Sequence, residues 1–237
     1  MRTETSSLGQ RFADSVLALH PHVAVFDCDG TLWSGDSGAD FFYWQIDRGM
    51  FPHQVAERAA ARYADYKQGK VDETTMCGEM VTLNAGNPVQ MLQEAAEEFF
   101  SSMVEKRIFP EMLRLTRELE STGCEVWAVS STNDWVVREG VKRFGIPRRR
   151  VLAASVQIED GRITDRLIRV PSGPGKAVAI AEVVQKQVDV CFGNSIHDAA
   201  MLELARHPFV VNPNPDLEKI AQEKSWHIYW PSGTQKP

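Results

Sequence analysis

Short apolar runs recur along the chain, each leading into a polar cluster and then a helical spacing of apolar positions. His22–Phe26 (HVAVF), Glu125–Val129 (EVWAV) and Val188–Phe192 (VDVCF) are such runs; Phe209–Val211 and Trp226–Trp230 are weaker ones. Short apolar runs closed by turn residues predict buried strands. Helical patterns lie between them, near 110–122, 133–144, 175–187, 197–206 and 215–224. Strands alternating with helices predict an α/β fold, a doubly wound, Rossmann-like parallel sheet with helices on both faces.

The rhythm breaks between about 36 and 108. Four helical patterns follow one another there, near 37–48, 53–68, 72–85 and 88–106, punctuated by Gly49, Pro52, Gly69, Gly86 and Pro88. An all-helical block inside an α/β chain predicts an inserted cap. The expected division is a catalytic core of 1–35 and 109–237 carrying a helical cap domain of 36–108. Residues 157–164 (QIEDGRIT) predict a small hairpin turning at Asp160–Gly161.

Composition narrows the picture. The chain has 237 residues, 43% hydrophobic and 24% charged, and a net charge of −6. Those are values of an ordinary globular protein, and the acidic balance argues against nucleic acid or an anionic membrane as partner. Cys28, Cys77, Cys124 and Cys191 form no C-x-x-C pair, so neither a zinc site nor a redox motif is expected. Met1–Gln10 is polar, without an apolar region of signal-peptide type, and the expected location is cytoplasmic.

Each of the three strong strands ends in a polar cluster. Asp27-Cys28-Asp29-Gly30-Thr31 follows the first. Ligands of open parallel sheets bind beyond the carboxyl ends of strands, so two carboxylates there can share one site, one attacking and one moving a proton. The alternative is a solvated turn or a calcium loop, but a calcium loop of EF-hand type needs more oxygens in the following residues. Ser130-Ser131-Thr132-Asn133 follows the second strand. Its hydroxyls can donate to a phosphate oxygen, or Asn133 or Asp134 can simply cap the next helix.

Lys176 stands in Gly173-Pro174-Gly175-Lys176 at a helix start, where a cation opposes the helix dipole. That local conflict suggests an anionic partner; a solvated lysine is the alternative. Gly193-Asn194-Ser195-Ile196-His197-Asp198 follows the third strand. Asn194 and Asp198 offer oxygens to a hard cation, or Asn194 or Ser195 caps the helix.

Asp27-x-Asp29-Gly30-Thr31, Ser130, Lys176 and Gly193-x-x-x-x-Asp198, in this order, resemble the four motifs of the haloacid dehalogenase-like hydrolase superfamily. The helical block between the first and second motifs is similar to the cap of its phosphoserine-phosphatase-like branch. The resemblance implies a magnesium-dependent phosphatase of a small-molecule phosphomonoester. Asp27 would attack phosphorus and form an aspartyl phosphate, with Asp29 as acid/base partner. Thr31, Ser130, Ser131 and Lys176 would hold the phosphoryl oxygens, and Mg²⁺ would bind Asp27, Asp29 through its carbonyl, Asn194 and Asp198. Asn194 stands where the family usually has Asp, and His197 where phosphoserine phosphatases commonly have Asn.

Asp36 stands where the branch places a Glu near its substrate's amine; it can equally cap the helix at 37–48. The segment Thr74–Asn87 contains no Arg or Lys to grip a substrate carboxylate, which argues against phosphoserine. Trp33 and Phe41-Phe42-Tyr43-Trp44 either seal the cap or, with Asp36, hold a cationic head group. Two further readings stay open: a phosphotransferase, and a catalytically weak phosphate-binding regulatory protein.

Overall fold

The computed structural model describes residues 2–234. Seven strands form one sheet: β1 (Val23–Phe26), β2 (Glu125–Asn133), β3 (Val151–Glu159), β4 (Arg162–Arg169), β5 (Val190–Gly193), β6 (His207–Val211) and β7 (His227–Tyr229). Their order is β4-β3-β2-β1-β5-β6-β7. All neighbours run parallel except the antiparallel pair β3 and β4.

Successive strand side chains point to opposite faces of a sheet, and here they sort into two cores. Ala24 and Phe26 of β1, Val126 and Ala128 of β2, and Phe192 of β5 pack in one layer. Helices α1 (Arg2–Leu17) and α6 (Pro110–Ser121) cover it with Phe12, Val16, Met112 and Leu115, and α7 (Asp134–Val141) adds Val136 and Val137. Val23, Val25, Trp127, Val129 and Cys191 face the other way. Helices α8 (Pro174–Val183), α9 (Ala199–Glu203) and α10 (Pro215–Glu223) meet them with Ile180, Met201, Leu202 and Leu217. Strands buried on both faces explain why they read as unbroken apolar runs.

Between β1 and β2 lie four helices, α2 (Ser37–Asp47), α3 (His53–Lys67), α4 (Glu73–Thr82) and α5 (Val89–Phe99). Phe42, Tyr63, Val71 and Met76 form a small core of their own. Leu92, Ala96 and Phe99 of α5 instead join the main core. The helix expected over 88–106 changes pitch after Phe99, into a π turn over Phe100–Val104 and a 3-10 turn over Glu105–Arg107.

Three features depart from the pattern reading. Helix α1 opens on the polar residues 2–7 and reaches its first apolar position at Leu8, so the polar opening residues hid it. Val151–Val156 pairs with β2 and then with β4, and the expected hairpin is the tip of this longer pair, turning at Asp160 (φ 48°) and Gly161 (φ 75°). The pattern near 197–206 resolves into a 3-10 turn over Ile196–Asp198 and the short α9. Among the described residues no helix is long and apolar enough to cross a membrane.

Candidate active site

The parallel register brings the ends of β1, β2 and β5 side by side, Phe26 pairing with Ala128 and with Phe192. The residues that follow these three strands therefore meet at one edge of the sheet. The Asp27 amide donates to the carbonyl of Phe192 at 2.9 Å, so the chain is still pinned to β5 as it leaves β1. It then folds tightly, with the amides of Thr31 and Leu32 donating to the Cys28 carbonyl. Gly30 takes φ 78°, and a Cβ there would lie 1.9 Å from Asn194 Nδ2. Only glycine allows both this conformation and that approach.

Lys176 Nζ lies 2.7 Å from Asp27 Oδ1 and 2.6 Å from Asp198 Oδ1. All three side chains are buried: Lys176 is 3% exposed, Asp27 4% and Asp198 0%. A lysine buried at the positive end of a helix is tolerable because two carboxylates face it. Burial and Asp198 push Asp27 up to about 7, although Lys176 pulls it down. Burial would lower Lys176, but Asp198 and Asp27 outweigh it and hold the ammonium above its usual range. Thr31 Oγ1 donates to Asp27 Oδ2 at 3.0 Å.

Asp29 accepts three hydrogen bonds, all at 2.7 Å, from Trp33 Nε1, the Ser37 amide and Thr132 Oγ1. Sequence patterns had pointed to neither Trp33 nor Thr132 as its partner. Asp198 Oδ2 accepts from the amides of Asn194 and Ser195 at 2.9 and 3.0 Å. Ser195 and Asp198 thus form a reciprocal capping box, and both Asp198 oxygens are engaged. Gly193 makes this possible, since a Cβ there would sit 2.6 Å from Asp198 Cβ.

The second cluster does several jobs. The ladder shifts register between Ser130 and Asn133, a bulge of the kind that re-aims side chains beside active sites. Ser130 Oγ accepts from the Thr132 amide at 3.1 Å, and Asn133 caps α7 through the Val136 amide. Ser131 turns instead toward the helical segment and donates to Glu73 Oε1 at 3.1 Å. Glu73 also accepts from the Ser172 hydroxyl, and His197 Nδ1 lies 2.8 Å from its Oε2. Burial pushes Glu73 up, but the bonds from His197 and Ser172 bring it below its usual value. One carboxylate of α4 thus joins three loops at the edge of the sheet. Its sequence signal was hidden, because an acid just after the cap residue Asp72 reads as ordinary helix-start chemistry.

Asp36 caps α2 through the Ala39 amide at 2.9 Å, and it lines a cleft with Tyr63, Tyr66, Glu73 and Ser131. No Lys, Arg or His lines that cleft. Crowding by protein and by Asp29 pushes Asp36 up to about 6. Its cavity is about 50 Å³, room for a few waters. Of the noted aromatics, Trp33, Phe41 and Phe42 are sealed in the interior, and Tyr43 is exposed. Cys28 is buried behind the loop, and burial followed by Asp27 raises its thiol well above the usual range.

The donor set bears on a cation. Two carboxylates, Asp27 and Asp198, flank one ammonium, and Asp29 stands two residues beyond Asp27. Among the described residues no three His, Cys, Asp or Glu side chains gather to hold a metal unaided. Asn194 lies against the Asp29–Gly30 turn, and its carboxamide makes no hydrogen bond among the described residues. Magnesium is commonly held by one or two carboxylates, with waters and substrate phosphate completing its shell. The residues present therefore fit such an ion.

The chain is 26% identical over 218 residues to a histidinol-phosphatase of Neisseria meningitidis, covering 87% of this chain and 97% of that one. It is 25% identical over 215 residues to the phosphoserine phosphatase SerB1 of Mycobacterium tuberculosis, covering 86% and 69%. A crystal structure of a protein of unknown function from Bordetella pertussis superposes with a TM-score of 0.75 at 24% identity, covering 87% of this chain and 96% of that one. A phospho-aspartyl intermediate analogue of phosphoserine phosphatase gives 0.57 at 17%, covering 90% and 94%. The family model for haloacid dehalogenase-like hydrolases matches residues 24–203, from β1 through the Asp198 loop, and the chain belongs to that family.

Proposed function

We propose that this chain, a phosphoric monoester hydrolase of that family, cleaves small-molecule phosphomonoesters through an aspartyl phosphate on Asp27. The observation that carries the reading is the buried Lys176 bridge, 2.7 Å from Asp27 and 2.6 Å from Asp198. A nucleophilic carboxylate needs a fixed direction of attack and compensation for the charge it meets. Lys176 and Thr31 orient Asp27 so that one oxygen can reach phosphorus. Asp29, fixed by Trp33, Ser37 and Thr132, passes a proton to the leaving alcohol and then takes one from the hydrolytic water. Ser130 and the amides of the bulge receive phosphoryl oxygens.

Magnesium, when bound by Asp27, the Asp29 carbonyl and the Asn194 carboxamide, would supply positive charge against the incoming phosphate. Asp198, with both oxygens engaged, serves better as the anchor of Lys176 than as a direct ligand. That revises the ligand set expected from the motifs. The segment 36–108 acts as the cap on a core of 1–35 and 109–237. Glu73 fastens it, and its closure excludes water from the reaction.

The cleft favours a substrate whose non-phosphate end is cationic. Asp36 brings a carboxylate, Tyr63 and Tyr66 bring ring faces, and Glu73 is already paired with His197; among the described residues no Lys, Arg or His lines the cleft itself. Histidinol phosphate, the compound in the Neisseria relative's name, carries such an amine.

The test is phosphate release from an aryl phosphate and from matched amine-bearing and neutral alkyl phosphates, with and without magnesium. Release that needs magnesium and vanishes in Asp27→Asn is expected. Full activity in Asp27→Asn would end the proposal. Equal kcat/KM for amine-bearing and neutral esters would end only its substrate half.

A further inference from the structure

A second cavity, of ≈ 340 Å³, lies between β3, the end of β4 and the first turn of α7. No residue lines both this cavity and the cleft beside Ser131. Four arginines reach it from separate elements. Arg138 comes from α7, Arg148 and Arg149 from the 3-10 turn over Arg148–Arg150, and Arg169 from the end of β4. Asp134 is the only carboxylate in the lining.

The charges do not balance. Arg138 Nε lies 2.7 Å from Asp134 Oδ1, which accounts for one pair. Among the described residues Arg148, Arg149 and Arg169 make no ion pair and donate no side-chain hydrogen bond. Four guanidiniums less one carboxylate leave three positive charges facing one cavity, in a chain whose net charge is −6. A solvated arginine run would explain Arg148 and Arg149 alone, but Arg169 is half-buried and arrives from a different strand. The next residue, Arg150, turns away and pairs with Glu120 at 2.9 Å. Burial first, and then Arg148 and Arg169, lower the Arg138 guanidinium despite Asp134. Burial likewise pushes Asp134 up to about 6 against the pull of the arginines.

We propose that this cavity binds a small organic anion of diphosphate type. Guanidinium forks match phosphate oxygens two at a time, and several forks on fixed elements select for more than one anionic group. The volume suits a compact metabolite. Ile158, Ile168 and Val183, exposed at its rim, offer apolar surface to the organic part. The site stands apart from the phosphatase chemistry and does not depend on it.

The experiment is calorimetric titration of the full chain with methylenediphosphonate, a non-hydrolysable diphosphate, in magnesium-free buffer of low ionic strength. Saturable 1:1 binding is expected in the wild type and in Asp27→Asn. The double variant Arg148→Glu, Arg169→Glu should weaken it about tenfold or more. Arg148→Ala, at an exposed position that folding does not need, should weaken it about threefold. The absence of saturable binding in the wild type overturns the proposal. So does binding that Arg148→Ala leaves unchanged, since the anion then sits elsewhere.

Discussion

Asn194 stands where the motif resemblance implies an Asp. Its carboxamide lies beside Gly30, where an Asp would bring a full negative charge to a cation. Charge is the main lever on affinity for a hard ion. Asn194→Asp should therefore tighten magnesium about tenfold, near 1.4 kcal/mol, measured by titration calorimetry without substrate. Unchanged or weaker affinity would show that Asn194 takes no part in holding the ion. Lys176 teaches a related lesson. In sequence it is only a lysine placed badly for a helix dipole, a conflict that suggests an anionic partner, and the fold sets two carboxylates against it, Asp27 and Asp198.

At the scale of elements, Glu73 ties the start of α4 to the edge of the sheet. Glu73 receives Ser131, Ser172 and His197. Glu73→Ala should cost about 1–3 kcal/mol and speed amide hydrogen exchange along Glu73–Thr82 more than in β1 or β2. Uniform exchange across the chain would refute a local fastening. Helix α7 carries a second buried acid, Glu139, paired with Lys142 and Arg143. Burial raises its carboxyl, but the two cations outweigh it and hold the folded value below the usual 4.5.

A depressed folded pKa contributes stability that is present above the unfolded value and lost as pH falls through the folded one. The stability difference between wild type and Glu139→Gln should therefore be about 1 kcal/mol near pH 6 and shrink as pH falls below 4.5. Urea melts across that range measure it, and a constant difference would contradict the pairing. Two elements were illegible in sequence for definite reasons. The strand at Val151–Val156 follows three arginines and runs on into a polar edge hairpin, so no bounded apolar run marks it. The bulge at Ser130–Asn133 exists only through its pairing with β3.

Taken whole, the molecule links its helical segment to the core at both ends. Helix α5 shares the main hydrophobic core, as do Phe41 of α2 and Val81 of α4, whereas Tyr63 of α3 and Met76 of α4 pack in a separate small one. A ligand that mimics phosphate on Asp27 should stabilise the entire chain by mass action. Beryllium trifluoride with magnesium should raise the melting temperature of the wild type and not of Asp27→Asn, as read by calorimetry. A rise in both would place the ligand elsewhere.

The three central strands with their following helices, the helical insertion and the polar clusters were present in the linear pattern, whereas α1 and the strand at Val151–Val156 were not. Burial on both faces makes strands continuously apolar, and loops at the edge of a sheet must be polar wherever they are. What the fold alone decided is who touches whom. Asp29 meets Thr132 across 103 positions of chain, Lys176 meets Asp27 across 149, and Ser172 meets Glu73 across 99. Such contacts depend on register, bulge and helix docking, which no local spacing encodes. The cavity arginines show the same thing from the other side, since only packing reveals that Arg138 has a partner in Asp134 and that, among the described residues, Arg148, Arg149 and Arg169 have none.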